Sequence, residues 1–293
     1  MANTRELRRR IRSVKNTAQI TKAMQMVSAT KMRRAQNQAL NGRPYSFNLS
    51  YALKRLLPLV DTESHPLLTR HDSKTQGIIL LSTDKSLCGA LNTNLFRTLL
   101  ASNLSEAVFY TVGRKGREFV IRTGNKLVAD FENSDTVVFR QAAQLAKLVI
   151  EAFLSGEIGE AYIAFPRFVS TLRQEAMKVK LLPIEYSELE ALIAAQSEGK
   201  SKEGDLAKSE FLFEPDPKKL LDFILNHYIE IKIYQSLLET KASEHSARMI
   251  AMQNATDNAL ELVDDLNLAY NKTRQDSITK ELLEITTASL AMQ

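Results

Sequence analysis

The chain has 293 residues, of which 44% are hydrophobic and 25% charged, an ordinary balance for a folded protein of one large or two modest domains. Its single cysteine, Cys88, excludes an internal disulfide and a metal site built from several cysteines. The four histidines are scattered, which disfavours a metal site, and no apolar run of about 18 residues occurs, which excludes a membrane-spanning helix.

The net charge of +5 is concentrated at the N-terminus. Between Met1 and Arg34 ten basic residues stand against one acid, Glu6, so this segment alone carries +9. An Arg-rich, acid-poor start is typical of an organelle transit peptide. A basic helix can also bind nucleic acid, anionic lipid or an acidic protein, or its charges can simply be solvated on one face of a long helix.

Two long segments without glycine or proline flank a punctuated middle. Neither residue occurs from Ala2 to Asn41 or from Lys218 to Gln293. Both segments repeat small or apolar residues in alternating steps of three and four, the spacing of a coiled coil. The predicted seam of the first segment is Leu7, Ile11, Val14, Ala18, Thr21, Gln25, Ser28, Met32, Ala35 and Ala39. That of the second is Leu221, Ile224, Tyr228, Ile231, Gln235, Leu238, Ala242, His245, Met249, Met252, Thr256, Ala259, Val263, Leu266 and Tyr270.

The second segment predicts a helix that must project from any domain core. Pro217 suits its first turn, with Asp216 as the cap. About 70 residues at 1.5 Å each give about 100 Å of helix, far more than the roughly 30 Å of a domain core. The helix therefore needs a partner along its length, and the N-terminal helix is the obvious candidate.

The middle of the chain alternates between strand-like and helix-like stretches, which predicts an α/β layer with a largely parallel sheet. The predicted strands are 77–82, 107–112, 126–131, 162–165 and 175–183, and the predicted helices are 91–100, 115–122 and 139–154. The polar, low-complexity stretch 196–209 is interpreted as part of an exposed loop.

No stretch assembles a catalytic or cofactor site. The loop STDKSLCGALN follows a strand and opens a helix, but it lacks both glycine-rich phosphate-binding patterns, and the glycine pair Gly113 and Gly116 is weak evidence for one. Cys88 lies between Leu87 and Gly89 without a nearby histidine, which favours a buried structural thiol over a nucleophile. We therefore expect no catalytic residue, no cofactor and no metal.

Three other features with possible chemistry have plainer interpretations. The carboxylate pairs Glu281/Glu284 and Glu261/Asp265 suit solvated positions on a long helix better than acid–base catalysis. His245 falls on the second seam, where a packed histidine is favoured over a pH switch. Nucleic-acid binding is disfavoured because the basic residues overlap the seam itself and no aromatic residue occurs in the first 44 positions.

Four separated stretches together resemble one family, the gamma subunits of rotary F-type ATP synthases. They occur in the family's order and span nearly the whole chain: IRSVKNTAQITKAMQMVSATKM, STDKSLCGALNTNLF, FEPDPKKLLD and SEHSARMIAMQNATDNA with LNLAYNKTRQDSITKELLEI. Ser86 departs from the pattern, since the family usually has glycine there. The cysteine pair of the chloroplast relatives is absent, so thiol control of that type is not expected.

The resemblance implies an antiparallel coiled coil of the N- and C-terminal helices and a central Rossmann-like α/β domain. It divides the chain into an N-terminal shaft helix (1–57), the central domain (76–186), an exposed loop (187–209) and a C-terminal shaft helix (210–293). The implied function is the central rotor shaft of the synthase. Such a shaft couples proton-driven rotation of the membrane ring to ATP synthesis or hydrolysis at the beta subunits, and the chain itself is not a catalyst.

The resemblance also implies partners and contact residues. The partners are the hexameric ring of alpha and beta subunits, the epsilon subunit and the membrane c-ring, with no nucleic acid. Met24 matches a methionine that faces a lever loop of the beta subunit, and Arg274 with Gln275 matches a polar pair that binds an acidic beta-subunit catch loop. Phe211 and Phe213 match the foot near the ring and epsilon.

Surroundings of this kind would account for a helix that carries Met24 and Met26 on nearly opposite sides. The matched N-terminus replaces the transit-peptide interpretation and suggests a bacterial protein, peripheral on the cytoplasmic side of the inner membrane, with a processed organellar form as the alternative. Two rival functions remain open, an α/β enzyme with a helical appendage and a nucleic-acid-binding coiled coil.

Overall fold

The computed structural model describes residues 4–59, 65–69, 71–102, 104, 106–185 and 216–291. The elements in chain order are α1 (Thr4–Leu56, then a short 3-10 turn, Leu57–Leu59), β1 (Gln76–Leu81), α2 (Leu91–Ala101), β2 (Ala107–Val112), α3 (Arg114–Arg122), β3 (Lys126–Phe131), α4 (Phe139–Leu154), β4 (Glu160–Phe168), β5 (Gln174–Leu182) and α5 (Pro217–Ala291). The chain divides into two compact units, Met1–Ala29 with Arg248–Gln293 (the coil unit) and Thr30–Ala247 (the sheet unit).

In the coil unit, the two helices pair antiparallel. The Thr21 and Thr256 hydroxyls lie 2.7 Å apart, and Arg8 Nη2 donates to Tyr270 Oη at 2.6 Å. Residues later in α1 contact residues earlier in α5, as antiparallel pairing requires. All predicted seam positions of this unit are buried or half-buried: Leu7, Ile11, Val14, Ala18, Thr21, Gln25 and Ser28 on α1, and Met249, Met252, Thr256, Ala259, Val263, Leu266 and Tyr270 on α5. The periodicity therefore predicted the buried faces.

In the sheet unit, the same two helices are again antiparallel. The Gln235 side-chain amide donates to the Ala39 carbonyl at 3.1 Å, and Tyr45 Oη lies 2.7 Å from His227 Nε2. The helix α1 runs through Pro44, which has no N–H for the carbonyl four residues earlier. As predicted, α5 begins at Pro217, and the Asp216 carbonyl accepts the first helical bond, from Leu220 N–H at 2.9 Å.

The sheet has five strands in the order β3-β2-β1-β4-β5. The first four are mutually parallel because a helix or a longer segment joins each to the next, while β4 and β5 are antiparallel because a short turn at residues 169–173 joins them. The prediction of a largely parallel α/β sheet is confirmed, and the structure adds that the last strand is the antiparallel one.

Alternate residues of β1, β2 and β4 face opposite cores. One face, represented by Ile78 and Leu80, packs under α2 and α3. The other face, represented by Ile79, Leu81 and Tyr110, is covered by α4 and by the buried sides of α1 and α5. The members contributed by the long helices are Leu53, Leu56, Leu221, Leu225, Tyr228, Ile229, Ile233 and Leu237. The long helices are thus structural parts of the α/β domain within the sheet unit.

The glycine pair after β2 has a packing role. Gly113 adopts φ +99°, and a Cβ there would collide with the Ser82 carbonyl oxygen. A Cβ on Gly116 would lie 2.8 Å from Ser82 Oγ, which accepts a hydrogen bond from the Gly116 N–H at 2.7 Å. These glycines allow the ends of β1 and β2 to approach each other closely. Close packing therefore explains why glycine occurs at both positions, without a phosphate-binding role.

Candidate functional site: the surfaces of the coiled coil and the crevice above the sheet

Exposed apolar residues form a stripe on α1 within the coil unit. Ile20 is 61% exposed and Val27 55%, with Met24 half-buried between them. Positions separated by four and three residues share one side of a helix, so these three side chains form a single stripe beside the seam. Met26 is also exposed, on a different side. Apolar groups left in water on two sides of a helix indicate a surface for partners.

The N-terminal turns of α1 add a basic surface to the same unit. Arg8, Arg9, Arg10, Arg12 and Lys15 are all exposed. The Arg8 guanidinium also lies 5.5 Å from the centre of the Tyr270 ring, a cation–π distance. This surface can attract an acidic partner without locking it in place, because exposed ion pairs contribute only about 0–1 kcal/mol each.

Arg274 and Gln275 are both exposed on α5, where the predicted seam has ended. The observed pairings, position 8 with 270 and position 21 with 256, place Met24 opposite position 253 or 254. About 20 residues, or about 30 Å of helix at 1.5 Å per residue, therefore separate the level of Met24 from Arg274. The structure does not bring Met24 together with the polar pair, so they form two separate surfaces.

The end of α5 is a third surface, one that the sequence reasoning missed. Beyond residue 277 every described side chain is exposed, and Leu290 is 73% exposed. Its large apolar residues are Ile278, Leu282, Leu283, Ile285 and Leu290. The available signal was the length difference of the two helices, because antiparallel pairing with α1 runs out where α1 begins at Thr4. Phe211, Phe213 and the predicted loop 187–209 lie outside the described residues.

The crevice at the carboxyl ends of the strands, where doubly wound folds bind ligands, is occupied by α5. Strand order reverses direction between β1 and β4, which makes this the topological switch point. Here Lys241 Nζ donates to the Asn133 carbonyl at 2.9 Å, and Ser243 Oγ donates to the Pro166 carbonyl at 2.9 Å. The helix therefore takes the place in which a nucleotide would be expected.

The loop after β1 uses its polar groups to hold the backbone of neighbouring loops. The Asp84 carboxylate accepts the Arg114 N–H at 2.8 Å and the Asn133 N–H at 3.0 Å. Cys88 is buried, and Asn92 Nδ2 donates to its Sγ at 3.4 Å. The predicted structural thiol is thus buried as expected, and Asp84 is engaged in positioning the neighbouring loops.

The remaining candidates of the sequence analysis lie where their plainer interpretations placed them. Glu261, Asp265, Glu281 and Glu284 are exposed, and His245 is buried on its seam. Within the described ranges, no group of three or more His, Cys, Asp or Glu side chains is arranged to hold a metal ion. No helix among those residues is long and apolar enough to cross a membrane.

Two solved structures share the fold. The chain aligns with a chain of the Euglena gracilis mitochondrial ATP synthase (OSCP/F1/c-ring, rotational state 3) at a TM-score of 0.68 and 21% identity, covering 99% of this chain and 94% of the other. A chain of the Tetrahymena thermophila mitochondrial ATP synthase central stalk and c-ring gives a TM-score of 0.59 at 24% identity, covering 80% of this chain and 99% of that one.

The sequence comparisons extend over the full chain. The family model described as ATP synthase matches residues 3–292. The "ATP synthase gamma chain" of Methylacidiphilum infernorum is 45% identical over 100% of both chains, and that of Opitutus terrae is 44% identical over 99% of both. The protein of the same name from Akkermansia muciniphila is 43% identical over 100% of both. With these matches, the chain belongs to the ATP synthase gamma chain family.

Proposed function

We propose that this chain is the central rotor shaft of a proton-driven ATP synthase, with the catalytic sites on the beta subunits. The observation that carries the proposal is full-length similarity, at 45% identity in one case, to proteins named ATP synthase gamma chain. The coiled coil adds physical support, because it leaves apolar and basic groups exposed on several sides. The chain supplies mechanical coupling.

The mechanism rests on unequal contacts. Helix α1 of the coil unit carries both an apolar stripe around Met24 and a basic surface around Arg8, so the surface of the shaft is not uniform. A ring subunit that meets one face is stabilised in a different conformation from one that meets another face. A partner can shift a conformational equilibrium only by its differential affinity for the states. Rotation then moves each beta subunit through states of different nucleotide affinity.

Three of the exposed surfaces and the foot are assigned partners. The stripe of Ile20, Met24 and Val27 faces the beta-subunit lever loop, and Arg274 with Gln275 contacts the acidic catch loop about 30 Å further along the helix. The apolar end of α5 is enclosed by the ring of alpha and beta subunits. Phe211 and Phe213 belong to the foot that contacts epsilon and the c-ring.

The proposed division of the chain follows the same logic. Residues 1–57 and 210–293 form the shaft, and residues 76–186 form the domain beside its lower part. The complex lies on the cytoplasmic side of a bacterial inner membrane, with this chain attached peripherally through the c-ring.

The decisive experiment is reconstitution. Alpha and beta subunits from the same organism are mixed with this chain, and ATPase activity is measured on the complex isolated by size exclusion. We expect a large complex whose ATPase activity depends on the added chain. Elution of the chain alone with unchanged activity, under conditions in which another gamma chain assembles, would overturn the proposal. Retention of nucleotide by the isolated chain would then favour an α/β enzyme, and salt-sensitive retention of DNA a nucleic-acid-binding protein.

The assigned surfaces are tested in the same complex. The double variant Arg274→Ala/Gln275→Ala should lower ATPase activity by a factor of about two to five, since each exposed polar contact contributes about 0–1 kcal/mol. Lys272→Ala, an exposed residue two positions away, is the matched control and should leave the rate unchanged. Equal ATPase rates for the wild type, the double variant and Lys272→Ala would show that the polar pair does not contact the ring.

A further inference from the structure

A buried lysine connects the long helix α5 to the sheet. Lys241 is 3% exposed, and its amine donates to the Asn133 carbonyl at 2.9 Å and to Glu244 Oε2 at 3.2 Å. Asn133 follows β3, more than a hundred positions earlier in the chain. The bond therefore joins two elements of the sheet unit that have no covalent proximity.

The acceptor of this bond is itself held rigidly. The Asn133 N–H donates to the Asp84 carboxylate at 3.0 Å, and Asn133 Nδ2 donates to the Ser82 carbonyl at 2.5 Å. Ser82 and Asp84 follow β1, the central strand of the sheet. A force on the Lys241 amine is thus passed to the middle of the sheet through three hydrogen bonds.

Two further polar contacts join the long helices to the same end of the sheet. Ser243 Oγ, two residues along α5, donates to the Pro166 carbonyl of β4 at 2.9 Å. Lys31 of α1 pairs with Asp135, two residues beyond Asn133, at 2.6 Å. The contacts of Lys241, Ser243 and Lys31 together form what we name the shaft–sheet joint.

Stability alone does not account for a buried ion pair at this position. Desolvation of a lysine and a carboxylate offsets most of their attraction, so apolar residues of similar volume would serve folding equally well. Apolar burial is non-directional, however, and would leave α5 free to rotate slightly about its axis. A charge-assisted hydrogen bond to a fixed carbonyl has a preferred direction and resists such rotation.

We propose that Lys241 is a positioning residue that fixes the rotational setting of α5 on the α/β domain, so that torque applied to the domain reaches the shaft without slippage. The proposal rests on the rotor function proposed above and deepens it by naming the joint. It places the stiffness of this part of the rotor in a few directional bonds at the switch point, the position at which related α/β folds bind ligands.

The test measures torsional stiffness directly. A probe is attached through Lys126→Cys, an exposed position on the edge strand, while the alpha and beta subunits of the reconstituted complex are fixed to a surface. The angular variance of the probe during a catalytic pause is inversely related to stiffness. Lys241→Met keeps most of the length of the side chain and removes its charge. We expect this variance to rise at least about twofold as the directional bonds are lost.

The matched control is Lys180→Met. Lys180 is also a largely buried lysine of the α/β domain, but its partners are Glu185 at 2.6 Å and Glu160 at 3.4 Å, outside the joint. We expect this variant to melt at a lower temperature and to keep the wild-type angular variance. Ser243→Ala removes the second contact of the joint without changing any charge. It should also raise the angular variance, by a smaller amount than Lys241→Met.

The outcomes separate the joint from general stability and from the rotor function. Wild-type variance in Lys241→Met and Ser243→Ala, or equal widening in Lys180→Met, would overturn the inference. If Lys241→Met does not assemble, Ser243→Ala compared with Lys180→Met decides the question. A wild-type chain that fails to assemble or rotate would instead overturn the rotor function, and the inference with it.

Discussion

At the scale of single residues, Asp135 shows how one exposed charge reports on its surroundings. The hydrogen bond from Lys31 is the main cause that holds the pKa of the Asp135 carboxyl below its ordinary value of 3.8, and the charges of Lys31, Lys241 and Lys85 act in the same direction. Partial burial opposes them. Both members of the Lys31–Asp135 pair are more than a third exposed, so solvent screening keeps its contribution small.

We predict that Asp135→Asn lowers the free energy of unfolding by at most about 1 kcal/mol at pH 7. Because the folded-state pKa is lowered, the stabilisation is fully present above pH 3.8 and is lost as pH falls through the lowered value. Urea unfolding curves of both chains should therefore differ at pH 7 and converge as the pH falls below the lowered pKa of Asp135. Asp72→Asn, at an exposed position outside the pair, is the control. Parallel pH profiles of wild type and Asp135→Asn would contradict the assignment.

At the scale of elements, periodicity predicted the faces and left their partners undetermined. Every predicted seam position is buried or half-buried because small and apolar residues recur at the helical period without interruption by glycine or proline. The burial of Leu225, Ile229 and Ile233 could not be predicted in this way, since they lie off the seam and pack against the sheet. The contact of Lys241 with Asn133 was equally invisible, because tertiary structure alone brings the two residues together.

For the candidate surfaces too, the sequence predicted some features and only the structure supplied the others. Met24, Arg274 and Gln275 could be named from motif likeness alone, whereas their separation along the coil required the register of the two helices. That register depends on pairs such as Arg8 with Tyr270, which a single sequence with a regular repeat does not specify. The exposed end of α5 follows from the same register and was missed for the same reason.

A buried polar pair within the coil unit gives a prediction for the helix pair as a whole. The Thr21 and Thr256 hydroxyls lie 2.7 Å apart, and the Thr256 hydroxyl also donates to the Met252 carbonyl at 2.8 Å. We expect Thr21→Val and Thr256→Val each to lower the free energy of unfolding by about 1 kcal/mol. The double variant should lose less than the sum, since both changes remove the same bond.

Urea unfolding followed by far-ultraviolet circular dichroism measures this cycle. Thr17→Val is the matched control, because the exposed Thr17 hydroxyl donates to the Ser13 carbonyl of its own helix, at 3.1 Å. Its effect should stay within about 0.5 kcal/mol. Strictly additive losses from Thr21→Val and Thr256→Val would show that the two hydroxyls do not interact.

At the scale of the whole molecule, positive charge and exposed apolar surface are concentrated in different parts of the chain. The first 34 residues carry a net charge of +9, whereas the whole chain carries +5. The rest of the chain is therefore acidic on balance. The exposed large apolar residues of the last helical turns, by contrast, lie in a stretch with little net charge, from Ser277 to Ala291. A basic shaft with an apolar tip suits a partner that offers acidic loops at one level and an apolar sleeve at another.

The apolar tip gives the last prediction. Residues 278–290 of α5 have no buried side chain, and a single helix of this length is only marginally stable in water. Their amides should therefore exchange hydrogen rapidly in the isolated chain. In the complex with alpha and beta subunits, coverage of Leu282, Leu283 and Leu290 should slow that exchange by at least about tenfold, since local opening would then expose buried apolar surface.

Mass-spectrometric exchange measurements on both samples test this, with residues 253–266 as the internal reference. That stretch carries the buried seam residues Thr256, Ala259, Val263 and Leu266 and should be protected already in the isolated chain. Slow exchange of 278–290 in the isolated chain would mean that the tip is already covered within this protein. Fast exchange in both samples would mean that the ring does not enclose it, and the tip would lose its assigned role while the contacts at Met24 and Arg274 would remain to be tested by their own variants.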